Sequence, residues 1–466
     1  MIYYTIISLY LLALLWIGYQ KSDSVKTQED FSVAGRSLSP WILVGTMAAT
    51  WMGTGSILGN AGKTFEVGAA GFLLPIGGML GILVLINVSG KARASEKLTV
   101  PQIIGDRFGD VAMILSVIAL LAAYLVIVSY QFNAGGAVLY TIFNDNLGSN
   151  ISLDQSTIIA AIFIIAYTIL AGLLSVAYTD VANGILMITC FVIAFPILLF
   201  QAGGFEGMNE SFLAKGLPNH MSPFKVFTFR EILNFCLPSF LLILGDANMY
   251  QRFFASESVK SARKATFILF FAVVILESLI VANAWVSSSM IVDIEKQSHV
   301  LIYAAYNFLP PLLGAIMLAT LIGVIVSTAD SFLLVPTTVI INDLYMKYSK
   351  NQFSEKSIIL ISRSMVLLLG IFAYFVSRMF AADTTVFEKS LYAFTIYGTS
   401  ITPSLLASFF WEKASRLGAI FSILSGIVST IYFGNLSGLD AAVVPSLSIS
   451  ASVLVLFSLI ENQIKK

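Results

Sequence analysis

The sequence predicts an all-α polytopic membrane protein with about thirteen transmembrane helices. Of its 466 residues, 58% are hydrophobic and only 11% are charged, whereas a soluble protein of this length exposes far more charge. Thirteen apolar stretches are long enough to cross about 30 Å of hydrocarbon. The polar segments between them are short and contain no GxxxxGK[ST] phosphate loop, which argues against an ATP-driven pump. With zero net charge and no basic patch, no nucleic-acid partner is expected.

The first apolar run has no basic start and no small-residue cleavage site, so we expect a retained helix rather than a signal peptide. Two cysteines, Cys190 and Cys236, lie in apolar runs and indicate neither a disulfide nor a zinc site. In chain order, the predicted spans cover residues 2–19, 40–62, 69–90, 112–140, 155–173, 178–202, 229–248, 264–290, 311–345, 357–379, 385–411, 415–433 and 441–460.

The distribution of lysine and arginine predicts the orientation in the cell membrane. If the loops alternate between sides, most of the 26 basic residues fall on one side, which the positive-inside rule makes cytoplasmic. An odd number of helices then places the N-terminus outside and the C-terminus in the cytoplasm. The basic residues on the outer side are Lys63, Lys215, Lys225, Arg230, Lys296, Arg378 and Lys389.

Two of the predicted helices contain helix-breaking residues. Residues 40–62 carry five glycines with threonine and serine between them, and residues 229–248 carry Pro238 followed by Gly245 and Asp246. Unwound backbone in a membrane survives only where it is buried or lines a cavity. The two segments lie five helices apart and run in opposite directions, which is typical of an inverted repeat with a midplane site. The alternative is that the glycines merely permit close helix packing.

A polar turn interrupts the apolar segment 317–343. Ser327, Asp330 and Ser331 share one helix face, with Thr328 beside them. Oxygen ligands of this kind suit a hard cation such as Na⁺. A membrane serine or threonine often only bonds its own i−4 carbonyl, but a carboxylate costs about 2.5–3.5 kcal/mol at a helix centre and usually has a function.

Two further acids, Asp180 and Asp246, lie in predicted spans. The alternative for Asp180 is a capping role near the cytoplasmic interface. The alternative for Asp246 is an ion pair with Arg252.

Several motifs together resemble the sodium:solute symporter family, which transports sugars, proline, pantothenate, sialic acid and choline. They are "FSVAGRSLS", "SVAYTDVANG", "MYQRFFAS" and "STADS", and the similarity runs from about residue 30 to residue 416. A further stretch, "ATWMGTG", most resembles the choline-transporter branch of the family. The resemblance implies a LeuT-like 5+5 inverted repeat with broken first and sixth core helices. It divides the chain into an N-terminal helix and loop (1–39), the two repeats (40–228 and 229–411) and two peripheral helices (412–466).

The resemblance also implies where Na⁺ binds. The family binds Na⁺ between its first and eighth core helices, here 40–62 and 311–345. The ligands carried over are the carbonyls of Ala48, Trp51 and Val324 and the hydroxyls of Ser327 and Thr328. A second Na⁺, held in some members, involves Asp180, Asp330 and Ser331. Asp330 stands where the clearest two-sodium members have serine, so the stoichiometry stays open.

The solute site is expected at the two broken helices. Trp51 is a candidate for cation–π contact with an amine, or else a packing aromatic, and an acid in the pocket suits an amine or zwitterion as well as a polyol. The solute could therefore be an amine, an amino acid, a sugar or a carboxylate. The candidate solute-binding residues are Trp51, Gly53, Thr54, Ser56, Gln131, Ser239, Asp246, Met249 and Tyr397.

We therefore predict a secondary active transporter that couples inward Na⁺ flux to uptake of a small polar organic solute. The nearest alternative is a proton-coupled symporter of the same fold, with Asp180 or Asp330 titrating. A channel and a non-transporting solute sensor are further alternatives, although neither a selectivity ring nor an output domain is visible. No HExxH motif is present and both histidines fall in outer loops, so no enzyme and no obligate protein partner is predicted.

Overall fold

The structure is a computed structural model that describes residues 2–22, 26–146, 150–170, 172–224, 226–349, 354–380 and 384–465. Within these ranges the chain is helical and forms no β-strand beyond one isolated bridge. In chain order the α-helices are α1 (Ile2–Ser22), α2 (Gln28–Val33), α3 (Pro40–Trp51), α4 (Ala61–Val67), α5 (Ile76–Ala94), α6 (Val100–Phe108), α7 (Asp110–Thr141), α8 (Leu153–Leu170), α9 (Leu173–Gln201), α10 (Gly204–Ala214), α11 (Phe229–Gly245), α12 (Ala247–Ala255), α13 (Val259–Met290), α14 (Val300–Asn307), α15 (Pro311–Val339), α16 (Met346–Tyr348), α17 (Glu355–Ser377), α18 (Val386–Ser400), α19 (Thr402–Phe410), α20 (Arg416–Ser437) and α21 (Val443–Ile464).

Shorter helical turns join several of these helices. The 3₁₀ turns cover Ala34–Arg36, Gly68–Leu73 and Gln297–His299. The π-helical segments cover Gly55–Asn60, Ile142–Asn146 and Ile340–Tyr345.

The all-α polytopic architecture is confirmed, but the count of thirteen spans is not. Among the described residues, ten helices are long and apolar enough to cross a membrane, or eleven if the bent pair around α3 is one span. The apolar part of α1, Ile2–Ile17, is shorter than a full span. The predicted span 385–411 divides into α18 and α19. Lys225, Lys350 and Lys466, which entered the orientation argument, lie outside the described residues.

The first predicted break is present after Trp51. Helix α3 ends there, and the continuation Gly55–Leu73 leaves at an angle of 49°. Two tight backbone hydrogen bonds shape the break: the N–H of Met52 donates to Ala48 O at 2.9 Å, and that of Gly53 to Trp51 O at 2.8 Å. The glycine-rich sequence therefore does more than permit close packing, because it interrupts the helix.

The second break lies at Asp246 and not at Pro238. Helix α11 continues through Pro238 to Gly245, and α12 begins at Ala247. Proline removes one hydrogen bond to the preceding turn, which membrane helices tolerate when neighbours satisfy the freed group. The backbone ψ angle of Asp246 is 110°, which lies outside the helical range. Its side chain caps α12 by accepting a hydrogen bond from the N–H of Asn248 at 3.1 Å.

Helix α15 forms the centre of the bundle. Its residues from Met317 to Val339 are all buried, and it packs against α1, α7 and α9. A helix that is apolar all round is stable only when it is surrounded by other helices. The polar turn of α15 is therefore enclosed by protein, and its side chains can only interact with neighbouring helices or with what enters between them.

Candidate ion and solute site

Ser327 and Thr328 on α15 point to two different neighbours. The Ser327 hydroxyl donates to Asp180 on α9. The Thr328 hydroxyl donates across the helix interface to the carbonyl of Ala49, at 3.4 Å, near the end of α3. The alternative that such hydroxyls only bond their own i−4 carbonyl is therefore wrong for this pair, and both side chains link α15 to another helix.

Asp180 accepts hydrogen bonds from both α15 and α3. It is fully buried, in the third turn of α9, so the capping role considered for it is wrong. Its second oxygen accepts the hydroxyl of Thr46 on α3 at 2.5 Å. Asp180 thus joins α3, α9 and α15, the helices around the predicted Na⁺ site.

Arg252 on α12 supplies a positive charge that the prediction of a second cation did not include. The side chain is 0% exposed, and its guanidinium lies 2.6 Å from Ser331 Oγ and 3.9 Å from Asp180 Oδ2. Asp246, by contrast, bonds Tyr124 and the backbone of α12, so the closest acid to Arg252 is Asp180. The positively charged guanidinium of Arg252 therefore lies beside Ser331 and Asp180, two of the three residues predicted to hold a second Na⁺.

Asp330, the third of those residues, turns toward α8. One of its oxygens accepts the hydroxyl of Thr168, and the other is buried with no hydrogen-bond partner among the described residues. The three residues therefore do not gather around one point: Asp180 faces Ser327 and Thr46, Ser331 faces Arg252, and Asp330 faces Thr168. Their role in binding a second ion stays a prediction.

The three predicted backbone ligands lie on the two helices that Thr328 connects. Ala48 O and Trp51 O both belong to the last turn of α3, where each accepts one N–H at the break. A carbonyl oxygen has two lone pairs, so each retains capacity for an ion. Val324 is buried one turn before Thr328 on α15. The assignment of these five residues to Na⁺ stays a prediction.

Gly53 determines how closely the break approaches α15 and α7. A Cβ at this position would lie 2.8 Å from Thr328 Cγ2 and 3.2 Å from Gln131 Nε2. The adjacent Thr54 donates its hydroxyl to Gln131 Oε1 on α7. Only glycine therefore fits here without displacing a side chain of the candidate site.

A small cavity of about 50 Å³ lies between the two breaks. At about 10–15 Å³ per water, it holds a few waters, so a solute enters only if the surrounding helices move. Six of the nine predicted solute-binding residues line it, whereas Thr54, Met249 and Tyr397 do not. The predicted residues that line the cavity are Trp51, Gly53, Ser56, Gln131, Ser239 and Asp246.

Of the three predicted residues outside the cavity lining, Thr54 donates to Gln131 at the first break, and Tyr397 and Met249 lie at the second break. The hydroxyl of Tyr397 donates to Gly245 O at 2.7 Å and accepts the N–H of Ala247 at 3.1 Å, so it satisfies backbone groups on both sides of Asp246. Met249 is fully buried on α12. Their assignment to solute binding stays a prediction.

Asp246 faces the cavity, although its carboxylate is already engaged. It is 1% exposed, accepts the hydroxyl of Tyr124 on α7 and caps α12. Tyr124 also accepts the N–H of Asn248 at 3.2 Å. The acid therefore holds the second break in shape as well as adding negative charge to the cavity.

Glu277 on α13 is a cavity residue that the sequence reasoning missed. It is 1% exposed and lines the same cavity as Trp51 and Asp246. The hydroxyl of Ser56 donates to its Oε1 at 2.7 Å, and the amide of Asn60 donates to its Oε2 at 3.4 Å. The available signal was a single acid inside the apolar run of 264–290, which is by default a functional candidate in a membrane helix.

A larger cavity of about 760 Å³ lies at one end of the bundle. Its lining includes residues 295–299, which precede α14, and residues 384–389 around the start of α18. Phe387 belongs to the lining of both this cavity and the central one. Burial lowers the pKa of His299, which lines it, to about 4, so this imidazole is neutral near pH 7. Phe387 thus lies between this larger cavity, which we call the vestibule, and the central cavity.

Comparison with known proteins identifies the family. The family model described as "Sodium:solute symporter family" matches residues 31–426. The chain belongs to the sodium:solute symporter family. Among its relatives, the high-affinity proline transporter PutP of Bacillus subtilis is 25% identical over 91% of this chain and 90% of the relative. The sodium/proline symporter of Escherichia coli is 25% identical over 97% of this chain and 91% of the relative.

Solved structures confirm the LeuT-like fold of this family member. A Na⁺-coupled sialic acid symporter in a substrate-bound outward-open state matches with a TM-score of 0.82 and 16% identity, over 99% of this chain and 98% of that chain. A nucleobase-cation-symport-1 family transporter matches with a TM-score of 0.60 and 11% identity, over 92% and 95% of the two chains. The family is one of symporters, and the relatives and structures named above are transporters.

Proposed function

We propose that this protein couples the inward movement of Na⁺ to the uptake of a small polar organic solute by alternating access. The observation that carries the proposal is the contact between Thr328 and the end of the broken helix α3, beside Asp180 and next to the central cavity. An ion at this point touches two helices at once. Its binding therefore favours whichever arrangement of α3 and α15 brings the ligands together.

The proposed Na⁺ ligands are the carbonyls of Ala48, Trp51 and Val324 and the hydroxyls of Ser327 and Thr328. Their oxygen chemistry suits a hard monovalent cation. The buried carboxylate of Asp180, which accepts the Ser327 hydroxyl, adds negative charge to this region without being one of the five. The site needs no other charged ligand for a single positive charge.

In the proposed topology, the N-terminus is outside and the C-terminus is cytoplasmic. Residues 40–228 and 229–411 form the two repeats, with residues 1–39 and 412–466 outside them. The 760 Å³ cavity then opens to the outer side, because residues 295–299 and the start of α18, residues 384–389, lie there. We propose that this arrangement is an outward-facing state, which is supported by the position of Phe387 between the larger cavity and the central one.

Contacts at the opposite end of the bundle fit the closed gate of such a state. Leu38, just before α3, pairs with Ser256, just after α12, in a parallel β-bridge. The N–H of Leu38 donates to Ala255 O at 3.0 Å, and Arg93 donates to Ser256 O at 2.7 Å. Opening to the cytoplasm requires these backbone contacts between the two broken helices to separate.

Proline is the first solute to test. It is the solute named for the relatives in B. subtilis and E. coli, and the central cavity combines acidic, amide and aromatic side chains that suit a small zwitterion. At perfect coupling, one Na⁺ moving down a 100 mV potential and a tenfold gradient supplies about 2.3 plus 1.4 kcal/mol. That energy supports roughly 500-fold accumulation of the solute.

The test is uptake of labelled L-proline into proteoliposomes that contain the purified protein. We expect accumulation above equilibrium when Na⁺ is outside and K⁺ inside, and its collapse when a sodium ionophore removes the gradient. A proton gradient imposed in K⁺ buffer on both sides is the control for the proton-coupled alternative. Accumulation driven by that proton gradient without Na⁺ contradicts the proposal, and so does Na⁺-independent equilibration.

A further inference from the structure

We infer that Glu277, held by Ser56 and Asn60, is the subsite that binds the positively charged nitrogen of the transported solute. The inference rests on the proposed function and deepens it, because it commits the solute to a protonated amine. It concerns a residue that belongs neither to the proposed Na⁺ ligands nor to the broken helices themselves.

The geometry places Glu277 opposite the first break. Helix α13 brings the carboxylate against the segment Gly55–Asn60, where Ser56 Oγ lies 2.7 Å from Oε1 and Asn60 Nδ2 lies 3.4 Å from Oε2. These two donors fix the orientation of the carboxylate at the wall of the cavity. A carboxylate oxygen accepts more than one hydrogen bond, so both oxygens retain capacity for a ligand's N–H groups.

The charge of the cavity points to a cationic group. Among the described residues, its lining contains two carboxyl side chains, Asp246 and Glu277, and no lysine, arginine or histidine. Asp246 is engaged as the cap of α12 and by Tyr124. Arg252 is directed to Ser331 and Asp180 rather than into this cavity. A buried carboxylate without a cationic partner is costly, and a solute ammonium group that enters beside Glu277 removes that cost.

Gln131 provides a complementary group for the other end of a zwitterion. Its Oε1 accepts the Thr54 hydroxyl, while its Nε2 is buried at the cavity with no hydrogen-bond partner among the described residues. An unsatisfied buried N–H donor favours an anionic acceptor such as a carboxylate. The cavity therefore presents an acceptor for an amine at Glu277 and a donor for a carboxylate at Gln131, which is the polarity of an amino or imino acid.

The experiment compares matched pairs of solutes that differ only in the nitrogen. Na⁺-dependent thermal stabilisation of the purified protein is measured with L-proline against tetrahydrofuran-2-carboxylate, whose ring carries oxygen in place of the N–H₂⁺ group. L-alanine against L-lactate is a second pair, and D-glucose and mannitol represent neutral polyols. Losing a hydrogen bond to a charged group costs a factor of roughly 10–100. We expect the wild-type protein to prefer the nitrogen member of each pair by that factor.

The variant Glu277→Gln then assigns this preference to the residue. Its amide keeps the shape and can still accept the Ser56 hydroxyl, but it removes the negative charge. We expect affinity for L-proline to fall roughly 10- to 100-fold, affinity for the oxygen analogue to stay nearly unchanged, and the Na⁺ concentration for half-maximal stabilisation to stay the same. Glu206→Gln, on an exposed position of α10, is the matched control and leaves every affinity unchanged.

The outcomes separate this inference from the proposed function. If Na⁺ promotes binding of an amine-free solute and no amine competes with it, the inference is wrong while Na⁺ coupling stands. If the Glu277→Gln variant binds L-proline as tightly as the wild type does, Glu277 does not bind the nitrogen. The same conclusion follows if the variant loses affinity equally for both solutes of a pair. If Na⁺ promotes binding of no solute at all, the proposed function fails and the inference fails with it.

Discussion

The guanidinium of Arg252 donates to the hydroxyl of Ser331 at 2.6 Å inside the helix bundle. Both residues are fully buried, and the same guanidinium lies 3.9 Å from Asp180. Arg252 belongs to α12, directly after the second break, whereas Ser331 and Asp180 belong to α15 and α9. This arginine therefore joins the second broken helix to the helices around the proposed Na⁺ site.

Replacing Arg252 with glutamine is expected to destabilise the protein. Removing one partner of a buried ion pair leaves an uncompensated charge and costs about 3–5 kcal/mol. Thermal unfolding monitored in detergent should show a clear fall in the unfolding temperature. The double variant, Asp180→Asn with Arg252→Gln, should lose less stability than the sum of the losses in the two single variants. Additive losses contradict the pairing of these two residues.

Activation of transport by Na⁺ is expected to follow a hyperbola, with one Na⁺ moved per solute. Ser331 and Asp180, two residues considered for a second ion, already face the internal cation Arg252, and Asp330 is turned to Thr168. The ratio of ²²Na⁺ flux to proline flux in proteoliposomes measures the stoichiometry. A ratio of two, with sigmoidal Na⁺ dependence, shows instead that a second Na⁺ displaces these contacts.

Replacing Gly53 with alanine is expected to abolish most transport. The added Cβ lies 2.8 Å from Thr328 Cγ2, and overpacking of this kind costs about 1–3 kcal/mol. Gly184→Ala on α9 is the matched control, because a Cβ there meets no atom within 4 Å. The measurement is the initial rate of solute uptake at saturating Na⁺ in the Gly53→Ala and Gly184→Ala variants. Equal rates for both variants contradict the close approach of the first break to α15.

Replacing Tyr124 with phenylalanine is expected to weaken the second break. The hydroxyl donates to Asp246 and accepts the N–H of Asn248 at 3.2 Å, and a buried carboxylate that loses such a partner costs about 1–3 kcal/mol. We expect a lower unfolding temperature and a higher KM for the solute. Tyr140→Phe, at an exposed position of the same helix, serves as the control and should change neither value.

Features of the fold that depend on local sequence were predictable. Runs of apolar residues identify the buried and membrane-facing helices, and the glycines around Gly53 identify the first break, since helix propensity there is low. The position of the second break was predictable only in part. Pro238 is the stronger helix breaker by propensity, yet α11 continues past it and ends at Gly245, where Asp246 and Tyr397 satisfy the free backbone groups.

Pairings between distant helices could not be predicted in the same way. Glu277 and Arg252 lie 221 and 79 residues from the side chains that they bond, and nothing in the local sequence specifies those partners. The motifs around Asp180 and Ser327 indicated that both residues lie near the ion site, but not that Ser327 donates to Asp180. The packing of the helices determines which side chains meet, such as Arg252 and Asp180. The structure adds this information to the sequence.

The most direct test of the central claim is the Na⁺ dependence of proline uptake in Thr328→Ala and Ser327→Ala. Thr337→Ala is the matched control, because the hydroxyl of Thr337 donates to the carbonyl of Leu333, one turn earlier on the same helix, at 2.9 Å. A lost oxygen ligand that costs about 1–3 kcal/mol raises the half-saturating Na⁺ concentration on the order of tenfold or more. We predict that rise in both site variants, with the maximal rate recovered at high Na⁺, and wild-type behaviour in the control. Unchanged Na⁺ dependence in both site variants contradicts a Na⁺ site between α3 and α15.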